Sequence, residues 1–210
     1  VTWQMGTIED GSQYVQRPLP GGAPGNAATA VVWNAQRQRF YAAVRFHGYY
    51  ESADGVTWTR LANQPGTGLT LAACPTIATS GACPIFRGAL AVQPGTGDTF
   101  ALTVDANNLD QGLWQDVCAA SGGSCAASPI GFGKRLNSAA LEVGSGSSVI
   151  AQGDYDLSLA AVGTGADTVL FAGTVDLYRC SLAAGCALRN TTNAENGCAA
   201  PAMVSPAQHA

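Results

Sequence analysis

The residues with which this chain could carry out chemistry are a set of arginines, tyrosines and acids. Hydrolysis of a glycosidic bond needs two carboxylates flanking that bond, or a tyrosine nucleophile with arginines around a sugar carboxylate. The chain supplies candidates for each role, namely Arg45, Arg87, Arg135, Arg179, Tyr49, Tyr50, Glu51 and Asp154. A glycoside hydrolase is therefore one hypothesis, provided that the fold brings these side chains to one place.

Other catalytic and cofactor chemistries find little support. The two histidines are His47 and His209, and no Gly-x-Ser-x-Gly elbow accompanies them, so Ser-His-Asp catalysis is not expected. Segment 105–112 has oxygen-bearing residues at alternate positions but no closing acid at the EF-hand spacing, which favours a polar hairpin loop over a calcium site. Haem and phosphate-binding motifs are missing from the sequence, and we expect no cofactor.

The cysteines predict local disulfides. Six of the seven form close pairs in the sequence, namely Cys74 with Cys83, Cys118 with Cys125, and Cys180 with Cys186. Zinc is the competing interpretation, but its usual Cys-x₂₋₄-Cys spacing and histidine partners are missing. Disulfides imply an oxidising compartment, which means a secreted, periplasmic or cell-surface protein. Cys198 has no local partner.

The composition is that of an all-β protein. Of the 210 residues, 26 are Gly and 10 are Pro, only 11% are charged, and the apolar residues come in short runs between these breakers. The net charge is −4 and the single lysine, Lys134, stands among scattered arginines, so we expect no nucleic-acid partner. No run approaches the roughly 18 apolar residues of a membrane-spanning helix, and we expect no membrane span.

Short predicted strands follow one another in three related units. In the first unit, apolar and aromatic residues alternate with polar ones in four segments joined by short turns, which predicts an antiparallel meander. These segments are 28–34, 39–46, 48–53 and 57–62. Two later units repeat a strand, a Gly-Thr-Gly turn followed by Asp-Thr, and two more strands, over 90–118 and 159–180. This recurrence predicts a repeat architecture.

The corner between the third and fourth predicted strands differs between units. Aligning Tyr50-Glu51-Ser52 with Tyr178-Arg179-Cys180 puts the Cys180 to Cys186 pair where the first unit has 52–57. In the first unit, we expect the Ser52 and Asp54 side chains to hydrogen-bond the turn backbone, Gly55 to adopt a positive φ and Trp58 to pack beneath. A predicted disulfide thus takes the place of a predicted hydrogen-bonded turn at this corner, and both have a structural role.

The segment Ser52-Ala53-Asp54-Gly55-Val56-Thr57-Trp58 resembles a known motif. It is similar to the Asp-box, Ser-x-Asp-x-Gly-x-Thr-Trp, of sialidase-like, sortilin-like and xyloglucanase-like β-propellers, with one residue fewer between Asp and Thr. In that family the box lies between the third and fourth strands of a blade, which is its predicted place here. The resemblance implies structural Asp-box roles for Ser52, Asp54, Gly55, Thr57 and Trp58.

The resemblance also implies a β-propeller fragment of about three to four blades. The expected divisions are a blade end at 1–27, blades at 28–73, 84–136 and 137–197, and the start of the next blade at 198–210. Val1-Thr2-Trp3 repeats Val56-Thr57-Trp58, so we expect it to end another Asp-box, with a strand at 3–8 that closes a preceding blade. The other blades would come from further sequence or from another copy of the chain.

A ligand-binding surface is expected on the first unit. Aromatic faces and a cation suit a protein or glycan ligand, and the candidate residues are Trp33, Arg45, His47, Tyr49 and Tyr50. The alternation of the aromatic residues within strands favours a core role for about half of those in this unit.

Three functions are compatible with these features. We expect a non-catalytic propeller that acts as a recognition or scaffold module for a protein or a glycan. The alternatives are a glycoside hydrolase of sialidase or xyloglucanase type, and a subunit of an extracellular assembly that pairs through exposed sheet edges. The sialidase signature Arg-Ile-Pro is absent, and its nearest approach is Phe86-Arg87-Gly88.

Overall fold

A computed structural model describes the chain at residues 7–9, 27–66, 83–118, 125, 130–136, 149–150 and 152–191. Within these residues the chain forms thirteen β-strands, and none of the described segments is helical. The all-β prediction is therefore confirmed. No helix suited to crossing a membrane occurs in this part of the chain.

The first meander is an antiparallel sheet of four strands. Its strands are β2 (Ala28–Asn34), β3 (Arg39–Val44), β4 (Gly48–Ser52) and β5 (Thr57–Arg60). They pair in sequence order, with Trp33 opposite Phe40 and Tyr41 opposite Glu51. All four lie within the predicted segments, because each pair of neighbours is joined by a turn of only four residues or fewer.

A short strand, β1 (Thr7–Glu9), extends this sheet. It pairs in parallel with β5, with Thr7 opposite Thr57. We expected the strand at 3–8 to close a separate preceding unit, whereas the described part of it belongs to the first meander. Val1-Thr2-Trp3 lies outside the described residues.

The second and third meanders repeat the same strand order. The second comprises β6 (Arg87–Val92), β7 (Thr99–Val104), β8 (Asp110–Asp116) and β9 (Lys134–Arg135). The third comprises β10 (Ser158–Thr164), β11 (Asp167–Gly173), β12 (Leu177–Ser181) and β13 (Arg189–Asn190). In each, neighbouring strands pair antiparallel in chain order. Parts of the expected divisions 1–27, 28–73, 84–136 and 137–197, and all of 198–210, lie outside the described residues.

The core lies between the sheets, which pack face to face. Strand alternation directs Tyr41, Ala43 and Tyr49 of the first meander towards Leu90 and Ala101 of the second, and these side chains share one buried cluster. The opposite face of the second meander packs against the third in another cluster, which includes Phe100, Leu102, Leu170, Ala172 and Tyr178. The first strands are neighbours as well, since β6 contacts both β2 and β10. The second meander is therefore sandwiched between the other two.

Glycine allows the closest approach between the first two meanders. A Cβ atom added to Gly88 on β6 would overlap the Tyr49 hydroxyl and lie 2.9 Å from the Ala43 Cβ. The Tyr49 hydroxyl sits there because it hydrogen-bonds the Thr103 hydroxyl at 2.7 Å, in a fully buried position. The joint between these sheets therefore requires a residue without a side chain at position 88.

A buried ion pair also connects the first two meanders. Arg37, in the turn between β2 and β3, contacts the Asp116 carboxylate at 2.5 Å, and both side chains are almost fully buried. Arg37 also donates to the Cys125 carbonyl at 3.3 Å, and Asp116 accepts from the Gly131 amide at 2.7 Å. Asn34 adds a bond from its amide group to the Gly97 carbonyl at 2.7 Å. Because these polar groups bond across the joint, they fix how the sheets are aligned.

Candidate functional site

Each meander has two ends, which carry different side chains. Because successive strands alternate in direction, the turns that follow the first and third strands lie at one end, and the turn that follows the second strand lies at the other. We call the first the corner end, which carries 52–58 and the disulfides at Cys118 and Cys180. We call the second the arginine end, which carries Arg45, Arg87 and the 152–156 turn.

The Asp54 corner is closed by its own side chains. The Asp54 carboxylate accepts hydrogen bonds from the Val56 and Thr57 amides, each at 2.8 Å, and from the Ser52 hydroxyl at 2.9 Å. These bonds lower the pKa of Asp54 to about 2, with the Thr57 amide as the largest contributor. The carboxylate is therefore an acceptor within the turn, as the sequence predicted.

Gly55 and Trp58 complete this corner. Gly55 has a φ of +74°, and its amide donates to the Ser52 hydroxyl at 2.9 Å. The Trp58 indole N–H donates to the Gly55 carbonyl at 3.2 Å, and its ring lies 6.4 Å from that of Phe40. The predicted positive φ and the predicted packing of Trp58 are both observed.

Disulfides close the matching corners of the other meanders. Cys118 is bonded to Cys125 after β8, and Cys180 is bonded to Cys186 after β12, with Cα atoms 5.4 and 4.7 Å apart. Both pairings were predicted. Two disulfides imply an oxidising compartment. Cys83 is also disulfide-bonded, whereas Cys74 and Cys198 lie outside the described residues.

Two further carboxylates stabilise these corners. Asp98 accepts from the Cys118 amide at 3.0 Å and from the Gln115 side chain at 2.8 Å. Asp167 accepts from the Ser181 hydroxyl at 2.6 Å and from the Ala183 amide at 2.9 Å, which lowers its pKa. The sequence predicts both acids only as parts of hairpin turns. The repeated Asp-Thr pair marks these positions in the sequence. It does not show that each carboxylate accepts hydrogen bonds from the corner of the following hairpin.

At the arginine end, guanidinium groups from two meanders meet a turn that precedes the third. Arg45 and Arg87 each donate to the Asp154 carbonyl, both at 3.4 Å. Arg45 lies over the Phe86 ring, 4.7 Å from its centroid. Burial, then the charge of Arg45, lowers the pKa of Arg87, while Asp156 and Asp154 oppose that shift. The cluster therefore combines positive guanidinium groups with negative carboxylates, and both arginines are half-buried.

The other predicted ligand residues are divided between the core and the corner end. His47, Tyr49 and Tyr50 are buried, and burial strongly raises the pKa of the Tyr49 hydroxyl. Their burial removes these three side chains from surface contact. Trp33 is 42% exposed but lies at the corner end beside Phe40, at a ring distance of 4.6 Å. Only Arg45 of the five candidates reaches the arginine end in an accessible position.

The predicted hydrolase residues do not converge either. Glu51 lies on β4 at the corner end, whereas Asp154 lies at the arginine end. Arg179 is exposed on β12 of the third meander, and Arg135 lies on β9 of the second. Arg45 and Arg87 are the members of the predicted set that the structure brings together with Asp154.

The 105–112 segment forms a turn. The Asp105 carboxylate accepts from the Asn107 and Leu109 amides at 2.8 and 2.9 Å, which agrees with the predicted hairpin loop. Among the described residues, no group of three or more His, Cys, Asp and Glu side chains could hold a metal ion.

Comparison with protein-family models, with curated proteins and with solved structures finds no match to this chain.

Proposed function

We propose that this chain is a secreted or cell-surface β-propeller module that recognises or scaffolds a protein or a glycan without catalysis. The propeller arrangement is favoured by three meanders of the same strand order that pack face to face in chain order. Contact of β6 with β2 and β10 is what a propeller requires of neighbouring innermost strands. The closed Asp54 corner supports the resemblance to Asp-box propellers.

The absence of catalysis is inferred from how the polar residues are used. Asp54, Asp98 and Asp167 accept hydrogen bonds within corners, and Asp116 is paired with Arg37. The Tyr49 hydroxyl is hydrogen-bonded to the Thr103 hydroxyl within the core and cannot reach a substrate. The observation that carries the proposal is the separation of Glu51 and Asp154 at opposite ends of the sheets, because hydrolysis needs paired groups at one bond.

The arginine end is the surface that we expect a partner to contact. Arg45 and Arg87 are half-buried there, and Tyr155, next to the shared Asp154 carbonyl, is 70% exposed. Arginine and tyrosine are enriched at recognition surfaces because each combines apolar area with hydrogen-bonding groups. Rigid meanders on either side would hold these side chains in place.

A binding experiment tests this proposal. The chain is applied to a printed array of neutral and acidic glycans and of peptides, and we expect reproducible retention on a subset of spots. Tyr155→Ala and Arg87→Ala should weaken that retention, whereas Arg179→Ala on β12 should leave it unchanged. No retention on any spot, or equal retention by all variants, would contradict a recognition role for this end.

Self-assembly is a second candidate function. Val31 on β2 and Val162 on β10 are 62% and 45% exposed, so apolar side chains face outward on both outer meanders. Sedimentation velocity over a range of concentrations tests this candidate. Concentration-dependent association that Val31→Ser and Val162→Ser abolish would support it, and a constant monomer would remove it.

A further inference from the structure

A polar cavity lies beside the Asp54 corner on the first meander. Its volume is about 260 Å³, and its lining comprises Arg39, Glu51, Ser52, Ala53, Asp54, Thr57 and Thr59. These residues come from β3, β4, β5 and the corner between the last two. The sequence pattern does not indicate that these residues share a cavity.

Strand register brings the polar groups of the lining together. Glu51 pairs with Thr59 on one side and with Tyr41 on the other, so Glu51 and Thr59 point to the same face of the sheet. Arg39 lies two residues before Tyr41 and therefore shares that face. The corner forms a rigid wall, because Asp54 holds two amides and a hydroxyl.

The charged groups of the cavity are available to a ligand. Among the described residues, none donates a hydrogen bond to the Glu51 carboxylate or lies within ion-pair distance of it. Among the described residues, the Gln38 carbonyl at 2.9 Å is the acceptor to which the Arg39 side chain donates. The two groups thus present an acceptor and several donors that this part of the chain does not use.

The chemistry of the lining specifies the class of ligand. Arg39 contributes one positive charge, and Glu51 and Asp54 contribute one negative charge each. The lining is therefore negative overall and does not favour an anionic ligand. A sugar hydroxyl both donates and accepts, so neighbouring hydroxyls can donate to Glu51 and accept from Arg39 and the threonines. We infer that this cavity binds one ring of a neutral saccharide through adjacent hydroxyl groups. Its size suits a single ring.

In the described residues of the other meanders, the positions that match Glu51 carry different side chains. In the third meander, Arg179 takes the place of Glu51, opposite Phe171, and it pairs with Arg189. In the second meander, the residue opposite Phe100 is Gln115, which is buried and bonded to Asp98. Within the part of the chain that the structure describes, the pairing of Glu51 with Thr59 therefore belongs to the first meander, and Arg179 offers a matched control.

Isothermal titration with methyl glycosides of glucose, galactose, mannose and N-acetylglucosamine tests the inference, which rests on the proposed recognition function. We expect at least one to bind in the millimolar range and glucuronate to bind more weakly than glucoside. Glu51→Gln and Arg39→Gln should each weaken binding about tenfold or more, since each removes a charged hydrogen bond. Arg179→Gln should bind like the parent chain. Thermal melts show whether each variant is folded, and Thr59→Val provides a second lining variant with the same expected direction.

The possible failures are distinguishable. If a glycoside binds with the same affinity to the parent and to Glu51→Gln and Arg39→Gln, this site is wrong and the recognition function stands. Absence of binding by all four glycosides, or tighter binding of glucuronate, also overturns the inference, while retention at the arginine end is measured separately. Cleavage of a glycosidic bond would contradict the non-catalytic function itself.

Discussion

The Asp54 carboxylate is held by its own turn, and this explains why an exposed acid has an unusual pKa. Three donors from the turn stabilise its charged form, and the pKa falls to about 2. The charged form is favoured in the folded chain relative to the unfolded chain. Asp54 therefore contributes stability above the unfolded pKa of about 4, and loses it as the pH falls towards 2.

This linkage predicts the effect of Asp54→Asn. The variant should melt a few degrees below the parent chain at pH 6, and the difference should shrink as the pH falls from about 5 to 2. Thermal melts at intervals of pH measure it, with Asp154→Asn as the control for removing an acid from the other end. A difference that stays constant down to pH 2 would contradict the role of the charged Asp54.

The sequence identified Asp54 correctly but not the burial of His47, Tyr49 and Tyr50. The local motif contains every group that the Asp54 turn needs, so a short stretch was sufficient. Burial of Tyr49 depends on Thr103 and on Gly88, which lie in another meander. Alternation within a strand assigns a side chain to a face, but it does not tell which face a neighbouring sheet covers.

At the scale of elements, each corner after a third strand is fixed by a covalent or a carboxylate lock. The Cys118–Cys125 loop has an additional role, because the Cys118 amide bonds Asp98 and the Cys125 carbonyl bonds Arg37. It thus joins a corner to the buried ion pair between two meanders. The Cys180–Cys186 loop closes its own corner. Among the described residues, none in another meander donates a hydrogen bond to this loop.

Replacing each disulfide by serines should separate these two roles. Loss of either should lower the free energy of unfolding by about 2 to 3 kcal/mol, because each closes a short loop. Cys118→Ser with Cys125→Ser should cost more than Cys180→Ser with Cys186→Ser, since it also loosens the contacts of Arg37 and Asp98. Urea unfolding measures both. Equal losses would show that the first disulfide acts only on its own loop.

Gly88→Ala tests the packing between the first two meanders. The new Cβ would overlap the Tyr49 hydroxyl, whose position is fixed by Thr103, and we expect a loss of about 1 to 3 kcal/mol. Gly133→Ala is the control, because a Cβ there meets nothing within 4 Å. Urea unfolding should show a change only for Gly88. A stable Gly88→Ala chain would contradict the tight joint.

The strands were predictable where turns marked them. Short turns such as 35–38 and the Gly-Thr-Gly pattern placed β2 to β5, β7 and β11 within a few residues. β9 and β13 were missed, because two-residue strands carry no periodic signal. β1 was expected in another unit, since its parallel pairing with β5 joins residues far apart in the sequence.

At the scale of the molecule, the three meanders provide two rigid ends with different chemistry. The corner end carries the corner hydrogen bonds, the disulfides and the polar cavity that we propose as a saccharide site, and the arginine end carries Arg45, Arg87 and Tyr155. Glu51 and Asp154, two acids that the sequence offered for hydrolysis, lie at opposite ends. Tyr49 and Tyr50 are buried in the core, which supports the recognition role that we propose.

Saturation-transfer NMR tests recognition without catalysis in one measurement. The chain is mixed with sialosides, xyloglucan oligosaccharides and neutral methyl glycosides, and the sugar signals are followed for a day. We predict transfer of saturation from the protein to at least one saccharide, with no new reducing-end signals. New reducing-end signals that disappear in Glu51→Gln or Asp154→Asn, or a lack of transfer to every sugar and to acidic peptides, would contradict the account.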